Sequence, residues 1–144
     1  MQSERTGEVR AWLRKAANDL RAAEIDLAAS PPLPEDALFH CQQAVEKAAK
    51  AYLTFHDVAF RRTHDLDELA AGCESIDPSL HRTLDPAREL TVFAWRFRYP
   101  GEPAEPDPDE ARVALDVARA VFRAVVARIP EVPDPSPNLW DRPI

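Results

Sequence analysis

The chain has 144 residues, of which 45% are hydrophobic and 30% charged, with a net charge of −7 and a pI near 5.1. That is ordinary composition for one domain, long enough to bury about two-thirds of the surface the unfolded chain exposes. The acidic balance argues against a protein that grips long nucleic acid non-specifically, although a local basic patch stays open. With 3 Gly against 14 Pro there are few positions for positive-φ turns, which excludes a many-turned β-sandwich.

The first helix is predicted from about Glu8 to Ala29. Val9, Leu13, Ala16, Leu20, Ala23 and Leu27 recur at alternating steps of four and three, one narrow apolar seam. "SPPLP", residues 30–34, stops it, because proline lacks a donor and clashes with the preceding turn. A second helix starts near Pro34 or Glu35 and runs to about His56. Leu38, Cys41, Val45, Ala48 and Tyr52 form its stripe, with Ala44, Ala51 and Phe55 beside it, and the small residues let a neighbour approach closely.

Thr63 is the predicted N-cap of a short third helix, Asp65 to about Glu74. Asp77-Pro78 and Asp85-Pro86 both read as cap-then-first-turn pairs, the second opening a longer helix to about Arg98 with Leu90, Phe93, Ala94 and Phe97 on its apolar side. "RYPGEPAEPDPD" is an acidic, proline-rich loop, long enough to be functional or disordered. Asp107-Pro108 then caps a last helix to about Ile129. Its apolar positions are Ala111, Leu115, Ala118, Phe122, Val125 and Ile129, opposite a paired face of Arg112, Asp116, Arg119 and Arg123. Residues 131–144 read as an extended proline-rich tail whose Trp140 docks on the body or on a second copy. No segment alternates as a strand does. The expected fold is all-α, an up-and-down bundle of four to five helices over residues 1–130.

Cys41 and Cys73 are isolated thiols without a CxxC or a disulfide framework, and Cys41 sits in an apolar helical pattern. Met1 to Arg10 is polar and no long apolar run follows, so a cytoplasmic, reduced chain without a membrane segment is expected. No metal and no cofactor is predicted. The cations are 15 Arg and 3 Lys, a bias that suits bidentate phosphate or carboxylate contacts or reflects composition alone.

The polar residues of the second helix pose the functional question. His40, Gln43, Lys47 and Lys50 are spaced by three, four and three and so share one face, and Glu46 with Lys50 is an i,i+4 pair in the favourable order. The bland reading is a solvated face. Four stretches in order bear on it: "AANDLRAAE", "FHCQQAVEKAAKAYL", "THDLDELA" and "FRYP". Together they resemble the HEPN domain family over about Trp12 to Ile129.

The resemblance implies a short helical bundle, often a homodimer, commonly encoded beside a minimal nucleotidyltransferase in toxin–antitoxin-like pairs. Some relatives are metal-independent RNases with an arginine, four to six residues, then a histidine. None of His40, His56, His64 or His81 has an arginine at that distance before it, and no histidine follows Arg96 or Arg98. The chain therefore departs from the RNase pattern and resembles the non-catalytic branch.

Two functions follow as expectations. One is a nucleotide- or anion-binding module for a nucleotidyltransferase partner, with His40, Gln43, Lys47, Lys50, His64, Arg98 and Tyr99 as the binding set. The alternative is an RNase toxin with a divergent site of His64, Arg98 and Tyr99, where imidazole supplies acid–base chemistry and cations stabilise phosphorane charge. No glycine-rich phosphate loop is present. Any phosphate site would rest on side chains, with the N-terminus of the "THDL" helix as a further candidate. His64 there, and Arg98 before Pro100, have local roles open to them as well, satisfying helix ends.

Overall fold

A computed structural model describes residues 2–97, 100 and 105–129. Among them there is no strand. Five α-helices carry the architecture: α1 Gln2–Ala28, α2 Pro34–Phe55, α3 Leu66–Ile76, α4 His81–Leu84 and α5 Pro108–Ala127. A 3₁₀ turn, Pro78–Leu80, precedes α4, and a 3₁₀ segment, Pro86–Ala94, follows it. The fold is an all-α bundle. Arg98, Tyr99 and the tail with Trp140 lie outside the described residues.

The apolar seams form the core. Val9, Leu13, Ala16, Leu20, Ala23 and Leu27 of α1 are all buried, as are Ala111, Leu115, Ala118, Phe122 and Val125 of α5. Between them lies α2, whose Ala37, Ala44, Ala48, Ala49 and Ala51 are buried. Side chains this small let the flanking helices close on the α2 backbone, a consequence of interior packing density. Contacts fix the directions. Asp19 meets His40 and Lys47, while Arg5 meets Asp57, so α1 and α2 are antiparallel. On α5, Arg119 reaches Glu24 of α1.

Boundaries follow local chemistry. Asp107 caps α5 by accepting from Asp109 N, and Asp77 caps the 3₁₀ turn by accepting from Ser79 N. Asp85 does not cap: its backbone is already helical and its side chain makes no cap bond. Nor is Thr63 the cap of α3. Asp65 is, accepting from Asp67 N, while Thr63 Oγ1 takes the Asp65 amide. The helix expected from Pro86 to Arg98 is a 3₁₀ segment ending at Ala94. Thr91 accounts for the difference. Its hydroxyl donates to Arg88 O at 3.0 Å within the segment and accepts from Leu66 N at 3.0 Å, which ties the segment to α3.

α2 ends in a Schellman motif: Val58 N donates to Leu53 O and Asp57 N to Thr54 O, with Asp57 at φ 56°. A non-glycine residue carries a left-handed penalty of roughly 1 kcal/mol there. The exposed Arg5–Asp57 pair at 3.4 Å offsets little of it. Asp57→Gly is therefore expected to stabilise the protein by about 0.5 kcal/mol, and Asp57→Val to destabilise it by about 1–2 kcal/mol. Urea midpoints of the two variants check this. A glycine variant less stable than the parent would mean that the ion pair outweighs the backbone.

Candidate functional site

The polar residues of α2 divide into two networks on either side of the helix, rather than one solvated face. The first centres on Glu46, which is 3% exposed. Its Oε2 accepts from Lys50 Nζ at 3.0 Å, and its Oε1 meets His64 Nδ1 at 2.7 Å and Gln42 Nε2 at 3.2 Å. Gln42, fully buried, also donates to His64 O at 3.3 Å and accepts from Gln43 Nε2 at 2.7 Å. Lys50, 6% exposed, sits over the rings of Trp12 and Phe60 at 5.3 and 5.9 Å. Its aliphatic stem is buried and its ammonium satisfied, so it is part of the interior and not of a surface patch.

His64 is the outward end of this network. Its side chain is 65% exposed although Nδ1 is held by a buried carboxylate. An acceptor at Nδ1 places a proton there and turns Nε2 outward, toward whatever approaches the surface. Arg61 is beside it in sequence but is bound through Nε to Glu68 at 2.7 and 2.8 Å. The α3 amides are occupied as well: Leu66 N by Thr91 Oγ1, and Asp67 N by Asp65 Oδ1. With Asp67 and Glu68 in its first turn, this helix start is not an anion cradle, so the phosphate site considered there is not formed.

The second network joins α2 to α1. Asp19, buried, accepts from His40 Nδ1 at 2.8 Å through Oδ1 and from Lys47 Nζ at 2.6 Å through Oδ2. The Asp19 hydrogen bond, opposed by burial and aided by the charge of Asp36, raises the His40 pKa above its ordinary value. Nearby Asp26 is buried at the end of α1, and burial, with hydrogen bonding to Asp36 adding to it and His40 opposing, pushes its carboxyl up to about 7.

A cleft of about 340 Å³ is lined by Glu35, Asp36, Phe39, Arg96 and Phe97. Phe97 has φ 67°, an uncommon conformation for an aromatic residue, and stacks on Phe93 with centroids 6.1 Å apart. The cleft includes none of His40, Gln43, Lys47, Lys50 or His64. Of the predicted set, then, His40 and Lys47 come together on Asp19, while Gln43, Lys50 and His64 come together around Gln42 and Glu46. Arg98 and Tyr99 lie outside the described residues.

The anchors Asp19, Asp26, Asp36, Gln42 and Glu46 were not singled out as site residues from the sequence. Asp19 and Asp26 are seven apart, and Asp36 precedes His40 by four, helical spacings that place each pair on one face. The "SPPLP" turn then lays those faces against each other. Burial pushes the thiols of Cys41 and Cys73 up to about 12, so both are inert, buried hydrophobes at neutral pH.

No helix among the described residues is long and apolar enough to cross a membrane. No curated protein and no solved structure matches the chain significantly. The family model of the HEPN domain matches residues 9–129, which takes in all four motifs and every helix from within α1 to the end of α5. With most of its length matched and an all-α bundle to carry it, the chain belongs to the HEPN domain family.

Proposed function

We propose that this protein is a non-catalytic HEPN module that binds a nucleotide or a similar anion around His64 and works with a nucleotidyltransferase partner in a toxin–antitoxin-like pair. The observation that carries the reading is the posture of His64: Nδ1 held at 2.7 Å by buried Glu46, the rest of the ring exposed. With Nδ1 held in this way, Nε2 faces outward in a fixed direction, and the protonated ring donates from it to a phosphate oxygen. Arg98 and Tyr99 belong to the proposed set as a second cation and a stacking ring. Lys47 and Lys50 would act through the carboxylates they hold, together with His40 and Gln43. The acidic net charge and the absent Arg-to-His spacing favour binding over cleavage.

Calorimetric titration of the pure protein with ATP and GTP at fixed salt tests the reading. Saturable binding, weakened at least about tenfold in His64→Ala and in Arg98→Ala, is the expected result; tenfold corresponds to about 1.4 kcal/mol. No binding of either nucleotide would remove the nucleotide reading and leave a protein-interaction module. The reading also expects a homodimer. A groove that combines Leu90, Phe93, Val113 and Val117 with the charged Glu89, Arg96 and Glu110 supports that, and a strictly monomeric protein in sedimentation would remove it.

One observation favours a second reading, an RNase toxin with a divergent site. A carboxylate behind an exposed imidazole is the arrangement that orients a general acid–base histidine. RNA cleavage by the pure protein, abolished in His64→Ala while the fold survives, would establish it. Intact RNA would exclude it.

A further inference from the structure

We propose that Asp26, Asp36 and His40, where the end of α1 meets the start of α2, form a binding site for a divalent transition-metal ion of the zinc type. Each residue offers one donor atom, and the three atoms lie within 4.8 Å of one another. His40 Nε2 and Asp36 Oδ2 are 3.4 Å apart, close to the roughly 3.3 Å that separates two donors on a tetrahedral zinc with bonds of about 2.0–2.1 Å. Imidazole with carboxylates is a donor set that such an ion accepts.

Two independent features point to a ligand. Asp26 is only 8% exposed, and its Oδ2 has no hydrogen-bond partner. If both carboxyls are ionised, Asp36 cannot satisfy it, because two carboxylates offer only acceptors. Either a shared proton or a cation has to stand between them, since an uncompensated buried carboxylate is costly, and the donor geometry favours the cation. The second feature is the support behind His40. Asp19 accepts from Nδ1 at 2.8 Å and is itself held by Lys47 at 2.6 Å, which directs the Nε2 lone pair toward Asp36 and Asp26. A carboxylate that fixes the far nitrogen is what metal-ligating histidines have. The charges agree: Lys47 neutralises Asp19, and the two remaining carboxylates match a divalent cation. Asp36 is half exposed beside the cleft, leaving a path inward and room for water as a fourth donor.

The site goes beyond the nucleotide reading, which is centred on His64 with His40 and Lys47 in supporting roles, and none of the readouts below uses a nucleotide. Untagged, chelator-treated protein is titrated calorimetrically with Zn²⁺ at neutral pH. One saturable equivalent is expected. Asp26→Asn and His40→Gln should each lower its affinity at least about tenfold. Asp19→Asn, a positioning change, should lower it about 10–100-fold. His81→Ala, whose ring meets Glu74 away from this site, should leave it unchanged.

Because these substitutions could disturb the hairpin, the wild-type imidazole ¹H–¹⁵N spectrum gives an independent test. One equivalent of Zn²⁺ should shift the His40 Nε2 resonance and leave His56, His64 and His81 in place. Absence of saturable binding would overturn the proposal. So would binding that survives in Asp26→Asn and His40→Gln, or a His40 ring that stays protonated on both nitrogens at one equivalent. In that last case a proton, not a metal, bridges the carboxylates.

Discussion

Glu46→Leu is expected to destabilise the protein by about 3–5 kcal/mol, the cost of leaving one partner of a buried ion pair alone. Glu46 and Lys50 are 3% and 6% exposed and bonded at 3.0 Å. Without the carboxylate, the Lys50 ammonium retains only the faces of Trp12 and Phe60. Ring–cation attraction of about 2 kcal/mol or less falls short of what charging a buried amine costs. Gln42 and His64 lose an acceptor in the same step. Domains of this size have a total stability of about 5–15 kcal/mol, so the variant should be barely folded. Glu46→Leu combined with Lys50→Leu removes both charges and should recover most of the loss, because an apolar pair of similar volume has no desolvation cost. Glu46→Gln keeps an acceptor for His64 and should fall between. Urea unfolding of the four proteins decides it. A single variant as stable as the parent would mean that water reaches Lys50, and the buried network would have to be abandoned.

Phe122→Ala is the second large effect, again about 3–5 kcal/mol. Phe122 is fully buried on α5 and is the largest of the fully buried side chains. Its ring occupies the core that α5 shares with α1 and α2, and helices joined by rigid packing close only partly over the space it leaves. Phe122→Leu refills most of that volume and should cost about 1 kcal/mol. Asp116→Asn on the same helix is the control: that side chain is 78% exposed, and the change should stay within about 0.5 kcal/mol. Thermal and urea unfolding, read with the same baseline, separate the three. A cost below about 1 kcal/mol for the alanine variant would show a core loose enough to collapse, contrary to the complete burial of its α5 seam.

The site was less legible than the frame around it. Histidine and lysine positions along α2 were visible as a periodic polar face, and His64 stood out in "THDL". What those groups do depends on carboxylates far away in the chain: Asp19 lies 28 residues before Lys47, and His64 lies 18 after Glu46. Lys50 looked like half of a surface salt bridge and proved to be interior, because the rings of Trp12 and Phe60 close over it and its partner Glu46 is itself buried. Exposure is a property of neighbours, and i,i+4 spacing says nothing about it. The same holds for Pro86–Ala94. Asp85-Pro86 reads as a helix start, yet Thr91 ties the segment to the Leu66 amide and it winds as 3₁₀.

By itself, the sequence determined the helical class, the positions of α2 and α5 to within a few residues, the end of α1 though not its start, which lies at Gln2 rather than near Glu8, and the apolar residues of their buried faces. Each of these rests on interactions within one or two turns: apolar periodicity, proline's missing donor, an aspartate accepting from the amide two residues on. The HEPN motifs were readable for the same reason, being short and contiguous. Only the tertiary structure decided which charges are buried, which carboxylate holds which histidine, and that Asp26, Asp36 and His40 converge. Those outcomes are set by how the "SPPLP" turn lays α1 on α2 and by how the chain after α2 brings His64 back beside Glu46. Pair energies there depend on distance and local dielectric, and neither quantity exists until the helices have packed.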